Sequence, residues 1–170
     1  MKRLLFGFLL FFSANILAYS QEVVCVTGKE YKGYIFPKNF PIWGFPPKSN
    51  RYTLNADEIE QAEVLIQKNI KDVCLKILNK KHSKHYSKRF FRKYVRQYVG
   101  RISENGHIII EIILYRLDNN ELKYDIKSER FWQQFEEDIV LVQDGGYTYG
   151  SMFVDLTAKK ILDIYINGDT

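Results

Sequence analysis

"KYVRQYVGRISENGHIIIEIILYRL" occupies residues 93–117, and the way its two halves pair decides the fold. Its first half alternates. Tyr94, Arg96, Tyr98 and Ile102 fall to one side, and Val95, Gln97, Val99 and Arg101 to the other. Period two is the pattern of a strand. Asn105-Gly106 is the strongest short hairpin signal, and His107–Leu117 reads as the return strand. A two-residue loop sets Arg96 opposite Tyr115, Tyr98 opposite Ile113 and Val99 opposite Ile112. Val95, Val99, Ile108, Ile110, Ile112 and Leu114 then share one side of the hairpin.

Upstream lies the element that should cover that aliphatic side. Asn55 reads as an N-cap, with Glu58 three residues later as in a capping box. Acidic residues 57, 58, 60 and 63 suit the positive end of a helix dipole. Apolar residues at 59, 62, 66, 70, 73 and 77 step by three or four, so one amphipathic helix is expected to about Asn79. Cys74 falls on its apolar face.

Downstream, a strand is expected near Ile139–Gln143. Asp144-Gly145-Gly146 turns it into Tyr147–Leu156, and Thr157–Lys160 turns that into Ile161–Ile166. In this last hairpin Met152, Val154, Leu156, Leu162, Ile164 and Ile166 should join the aliphatic side. The polar connection from Asp118 to Asp138 has room for a short helix around Phe131-Trp132. The fold class expected is α+β, one long amphipathic helix packed on an antiparallel β-meander, cystatin-like in arrangement.

The chain start points to export. Lys2 and Arg3 precede an apolar run too short for a bilayer, which takes about 20 residues. Small residues follow, the pattern of a secretory signal peptide over residues 1–20 with cleavage after Ser20, Ala18 being the neighbouring option. An uncleaved anchor is the alternative. Cys25 lies too far past the apolar core for a lipidation box and reads as internal. Residues 21–170 then form a single α+β domain, long enough for one sound core. Losing Lys2 and Arg3 lowers the formal charge from +5 to +3.

Residues 28–50 hold all four prolines together with Tyr31, Tyr34, Phe36, Phe40, Trp43 and Phe45. A solvated linker would not be so aromatic, so this segment is expected as a loop packed over the domain, after a short β-like run at Val23–Val26. The face opposite the helix would carry Arg96, Tyr98, Tyr115, Tyr147, Tyr149 and Tyr165. Tyrosine with scattered arginine is the composition of binding surfaces, so these six are the candidate binding face, usable by a partner or a second copy of the chain. Alternatively, residues 28–50 cover this face and make it a second core. Cys25 and Cys74 can form one disulfide or remain two thiols.

Residues 80–101 carry a charge of +9, whereas residues 102–170 carry −7. The chain is a dipole whose halves can pair within the fold, which argues against nucleic acid as partner. Folded structure with a charged coat is the first reading of this stretch. An anionic envelope component, such as lipopolysaccharide, an acidic glycan or an acidic protein, is the second. No stable membrane insertion is expected after cleavage.

Catalytic signals are sparse. His82 and His85 could share a metal, but no Asp or Glu lies between Asp72 and Glu104 to complete a site. Gly145-Gly146 lacks the following residues of a phosphate loop. No serine sits in a nucleophile-elbow context. No catalytic residue, metal or cofactor is expected.

The run Arg96-Gln97-Tyr98-Val99-Gly100, the Asp144-Gly145-Gly146 turn and the closing Lys159-Lys160…Asn167-Gly168 segment resemble small exported proteins of Bacteroidota. The resemblance spans roughly Leu54–Gly168 and implies export and a single domain. It implies no activity. The function expected is a non-catalytic envelope module that binds a protein or ligand. A periplasmic immunity or protease-inhibitor protein, and a hydrolase with an unrecognised site, are the alternatives. The mature chain is expected to begin at Gln21 and stay soluble. Intact mass of the exported protein checks this, and a mass retaining residues 1–20 or carrying lipid on Cys25 would contradict it.

Overall fold

The computed structural model describes residues 22–42, 45, 47–77, 91–117, 129–142 and 148–166. Among the described residues it is an α+β fold of seven strands in one mixed sheet and two α-helices. Strands β1 (Val24–Thr27) and β2 (Lys32–Phe36) form an N-terminal hairpin. The short β3 (Arg51–Tyr52) leads into helix α1 (Ala56–Ile77). Strands β4 (Tyr94–Ile102) and β5 (Ile108–Arg116) follow. Helix α2 (Glu129–Glu137) precedes β6 (Tyr149–Asp155) and β7 (Lys160–Ile166). The order across the sheet is β1-β2-β4-β5-β6-β7, with β3 also on β4.

The sheet is not antiparallel throughout, as the sequence suggested. β2 runs parallel to β4, with Gly33 opposite Arg96 and Ile35 opposite Tyr98. Further along the same edge, β3 runs antiparallel, with Tyr52 opposite Gly100. The chain therefore reverses between β2 and β3. Arg51, itself buried, pins that reversal by donating to the Phe40 carbonyl at 2.5 Å and the Pro37 carbonyl at 2.9 Å. The segment read as a loop thus contains a strand. Its Lys-Gly-Tyr-Ile-Phe alternation is short and lies among glycines and prolines, which masks the period.

The hairpin of residues 94–116 forms in a register one residue from the expected one. Its connection is the five residues Ser103–His107, with Ile102 opposite Ile108. Gly106 holds a φ of 77°, and its N–H bonds the Ser103 carbonyl. The Ser103 hydroxyl accepts from the His107 N–H at 3.0 Å. Tyr98 consequently opposes Ile112, and Arg96 opposes Leu114. A slip of one moves every side chain to the other face. Tyr94, Arg96 and Tyr98 therefore join Ile110, Ile112 and Leu114 beneath α1, and Val95 and Val99 turn away from it.

Helix α1 starts as its sequence dictates. The Glu58 N–H donates to Asn55 Oδ1, and the Asn55 N–H to Glu58 Oε2, each at 2.9 Å. Its buried residues Ile59, Ala62, Ile66 and Ile70 pack on one sheet face, against Met152, Val154 and Ile164 among others. In the last hairpin a bulge between Phe153 and Val154 alters the expected pattern. Ile161 packs against this core, whereas Leu162 is exposed.

The other face carries a second core. Phe131 and Phe135 of α2 pack on Tyr34, Phe36, Val95, Val99 and Ile113, with Phe40 and Phe45 at its margin. Tyr34 stacks on Phe135 with centroids 6.1 Å apart, and Tyr115 meets the same ring edge-on at 5.4 Å. Residues 139–142 form no strand, in contrast to expectation. Ile139 leaves α2 and buries in this core. The segment read as a signal peptide, the histidine-bearing end of the basic stretch and the Asp144-Gly145-Gly146 run read as a turn lie outside the described residues.

Ile70→Asp is expected to destabilise the fold severely, because it places an unpaired charge at a fully buried position. Asn55→Ala should cost about 1 kcal/mol as a lost cap. Urea unfolding of the two variants checks the difference, and equal midpoints would contradict the packing of α1.

Candidate ligand cleft

The helical spacing that buries Ile59, Ile66 and Ile70 also directs Glu63 inward, since it lies four residues from Ile59 and three from Ile66. Glu63 meets Arg96, which β4 projects to the same side. Arg96 Nε lies 2.7 Å from Glu63 Oε1, and both side chains are almost completely buried. The Tyr98 hydroxyl donates to that same oxygen at 2.8 Å. Arg96 also donates to the chain before it. Nη1 reaches the Tyr94 carbonyl at 2.9 Å and Nη2 the Phe91 carbonyl at 3.2 Å.

Burial pushes the Glu63 carboxyl above its ordinary pKa, while Arg96 and the Tyr98 hydroxyl pull it back. Burial, followed by the charge of Glu63, holds the Tyr98 hydroxyl well above its usual value, so it remains a donor. Gly33 lets β2 pass this cluster. A Cβ there would sit 2.5 Å from the Tyr98 ring and 2.6 Å from the Arg96 carbonyl.

One oxygen of Glu63 is left over. Oε2 is buried without a hydrogen-bond partner, as is Nε2 of Gln67 one turn further along α1. Both residues line an open cleft of about 520 Å³ between α1 and the β1–β2 turn. Tyr31 and Lys29 border it from the turn, and Glu60, Val64 and Lys68 from the helix. Its volume falls in the range of small-molecule sites. Burial, then Glu63 and Glu60, raise the pKa of the Tyr31 hydroxyl. Glu30 at the turn is paired with Arg92. A larger hollow of about 650 Å³ lies between α1 and the β6–β7 turn, near Asp57, Leu65, Leu156 and Lys159. No buried, unpartnered polar atom among the described residues belongs to its lining.

The six tyrosine and arginine residues read as one binding face do not share a surface. Arg96 and Tyr98 are buried under α1. Tyr115 and Tyr149 pack on the α2 side of the sheet. Tyr165, on β7, is 57% exposed. Tyr147 lies outside the described residues. The one-residue register difference separates the first two from Tyr115 and Tyr149. Cys25 is an exposed, free thiol on the edge strand β1, and the Cys74 side chain lies outside the described residues.

Cations at the end of the basic stretch are used inside the fold. Arg92 pairs with Glu30, Arg96 with Glu63, and Arg101 lies 5.4 Å from the Phe153 ring. His107 Nδ1 lies 2.9 Å from Asp155 Oδ2, and the same carboxylate accepts from the Ala158 N–H at 2.8 Å. Burial opposes its charge, yet His107, the Ala158 amide and Lys160 hold the Asp155 carboxyl below its ordinary value. This pair ties the β4–β5 turn to the β6–β7 turn. Among the described residues no three His, Cys, Asp or Glu side chains are grouped to hold a metal ion. None of the described helices is long and apolar enough to cross a membrane.

Sequence reading took Glu63 only as a helix-dipole residue. Its place among Ile59, Ala62, Ile66 and Ile70 was the available signal. Gln67 and Tyr31 carried none. The chain matches no protein-family model, no curated protein and no solved structure.

Removing one partner of a buried ion pair costs about 3–5 kcal/mol. Arg96→Met alone and Glu63→Leu alone should each lose stability of that order. The double variant should recover much of it, because no charge is then left unpaired. A denaturation cycle checks this. Strictly additive losses would contradict direct coupling of the two groups.

Proposed function

We propose that this chain is an exported, non-catalytic binding module of the cell envelope, whose small polar ligand seats between α1 and the β1–β2 turn. The observation that carries the reading is Glu63 Oε2. This carboxylate oxygen lies on a side chain only 3% exposed, has no partner, and belongs to a residue lining an open cleft. A buried unsatisfied polar group is costly, by about 1–3 kcal/mol and more when charged. Natural folds tolerate such a group where a ligand or water completes it. The basic, apolar and small-residue order of residues 2–20 supports export. The lie of α1 across the strands from β4 to β7 supports a cystatin-like reading of that part of the chain, with the parallel β2 as an addition to it.

The binding reading predicts a localised response to small molecules. Amino acids, dipeptides, monosaccharides and nucleotides would be titrated separately into isotopically labelled protein. At least one class is expected to shift the amide signals of residues 27–31 and 60–68 together. Val64→Trp, a substitution at a site 62% exposed on the cleft wall, should abolish that response without lowering the melting temperature. Absence of any such response across the four classes would refute the proposal.

A further inference from the structure

We infer that the cleft is a site for a hydroxyl-rich ligand, a saccharide or polyol, one hydroxyl of which bridges Glu63 and Gln67. The inference rests on the binding reading above and adds the chemistry of the ligand.

The two orphaned atoms have opposite needs. Glu63 Oε2 can only accept a hydrogen bond, and Gln67 Nε2 can only donate. They are four residues apart on α1, so their side chains are neighbours on one face, with Cβ atoms about 5–6 Å apart. Neither bonds the other, and both are closed off from solvent, so the ligand reaches them as the partly exposed Gln67 side chain turns aside. A single group that answers both must donate to the first and accept from the second. A hydroxyl does this with one oxygen.

Other ligand classes fit less well. A carboxylate or phosphate would satisfy Gln67 and suit Lys29 and Lys68 at the border, but it has no proton for Glu63 Oε2 and faces that carboxylate with like charge. An ammonium would satisfy Glu63 but offers no acceptor to Gln67. It would also enter a cleft where Arg96 already pairs with Glu63 and where Lys29 and Lys68 stand at the border. A peptide amide can donate and accept, but needs two separate atoms in the right spacing and an apolar seat for its side chains. Among the described residues Val64 is the one aliphatic residue lining the helical wall. Glu60 and Lys68 beside it supply an acceptor and donors suited to further hydroxyls.

The test uses the intact protein and four probes: glucose, N-acetylglucosamine, sorbitol and glycylglycine amide. Side-chain amide signals of Gln67, and backbone amide signals of residues 27–31 and 60–68 that also report on the variants, are followed during each titration. At least one hydroxylated probe is expected to shift them with millimolar affinity, and glycylglycine amide is expected not to. Gln67→Leu should weaken that binding at least about tenfold while the melting temperature is retained. Val64→Trp, which leaves both orphaned groups in place, should block it. Shifts from glycylglycine amide alone would overturn the ligand class and leave the binding reading standing. Shifts from no probe would overturn the hydroxyl ligand, and the four-class titration above then decides the binding reading. Hydroxyl binding that survives Gln67→Leu unchanged would overturn the assignment of the bridge.

Discussion

The contact between Glu63 and Arg96 is the constraint on which the rest of the arrangement depends. Both charges are out of water, and desolvating them is expensive unless the geometry is close and the remaining valences are filled. Arg96 is held by Glu63 and by the Phe91 and Tyr94 carbonyls, and Glu63 Oε1 by Arg96 and Tyr98, while Glu63 Oε2 stays open. The position of α1 along and around its axis is thereby tied to one residue pair on β4. Aliphatic packing alone would permit neighbouring positions at little cost, since cores accept many arrangements of similar volume. The charged cluster does not.

β4 serves both layers with consecutive residues. Arg96 anchors α1 above the sheet, and Gln97 anchors α2 below it. The Gln97 amide donates to the Phe135 carbonyl at 3.0 Å and the Asp138 carbonyl at 2.7 Å, and its oxygen accepts from the Val140 N–H at 2.9 Å. These bonds satisfy backbone groups at the end of α2 that would otherwise lack partners. A buried polar side chain thus fixes each helix, and the apolar cores fill the space around them. The cleft departs from that logic, because there Glu63 Oε2 and Gln67 Nε2 have no hydrogen-bond partner.

Much of this was legible in the residues. The Asn55–Glu58 capping box, the apolar stripe of α1 and the last hairpin all formed, because each is set by contacts a few residues apart. The failures were long-range. Asn105-Gly106 does mark a turn, but Ser103 extends the loop through its hydroxyl, and that one-residue difference exchanged the two faces of β4. β2 was hidden because its partner, β4, lies far along the chain and its own hairpin is short. Glu63 was placed on the helix but not in the core, since charge normally marks the solvent side. Only the matching cation on β4 makes its burial tenable.

The parallel pairing of β2 with β4 also fixes an order of events. The N-terminal hairpin is synthesised early, yet its place in the sheet exists only after α1 and β4 have followed. Long-range pairings of this kind form slowly, because closing the intervening loop precedes any gain from contact. Until then the inner edge of β2 and the aromatic rings of Tyr34 and Phe36 remain uncovered, the condition under which strands associate with other chains. β1 is four residues long, and a short edge strand limits that hazard on the outer side. Gly33 bears on that docking: a side chain there would run into the Tyr98 ring and the Arg96 carbonyl, so the bare backbone lets β2 come up to β4 without forcing the cluster apart.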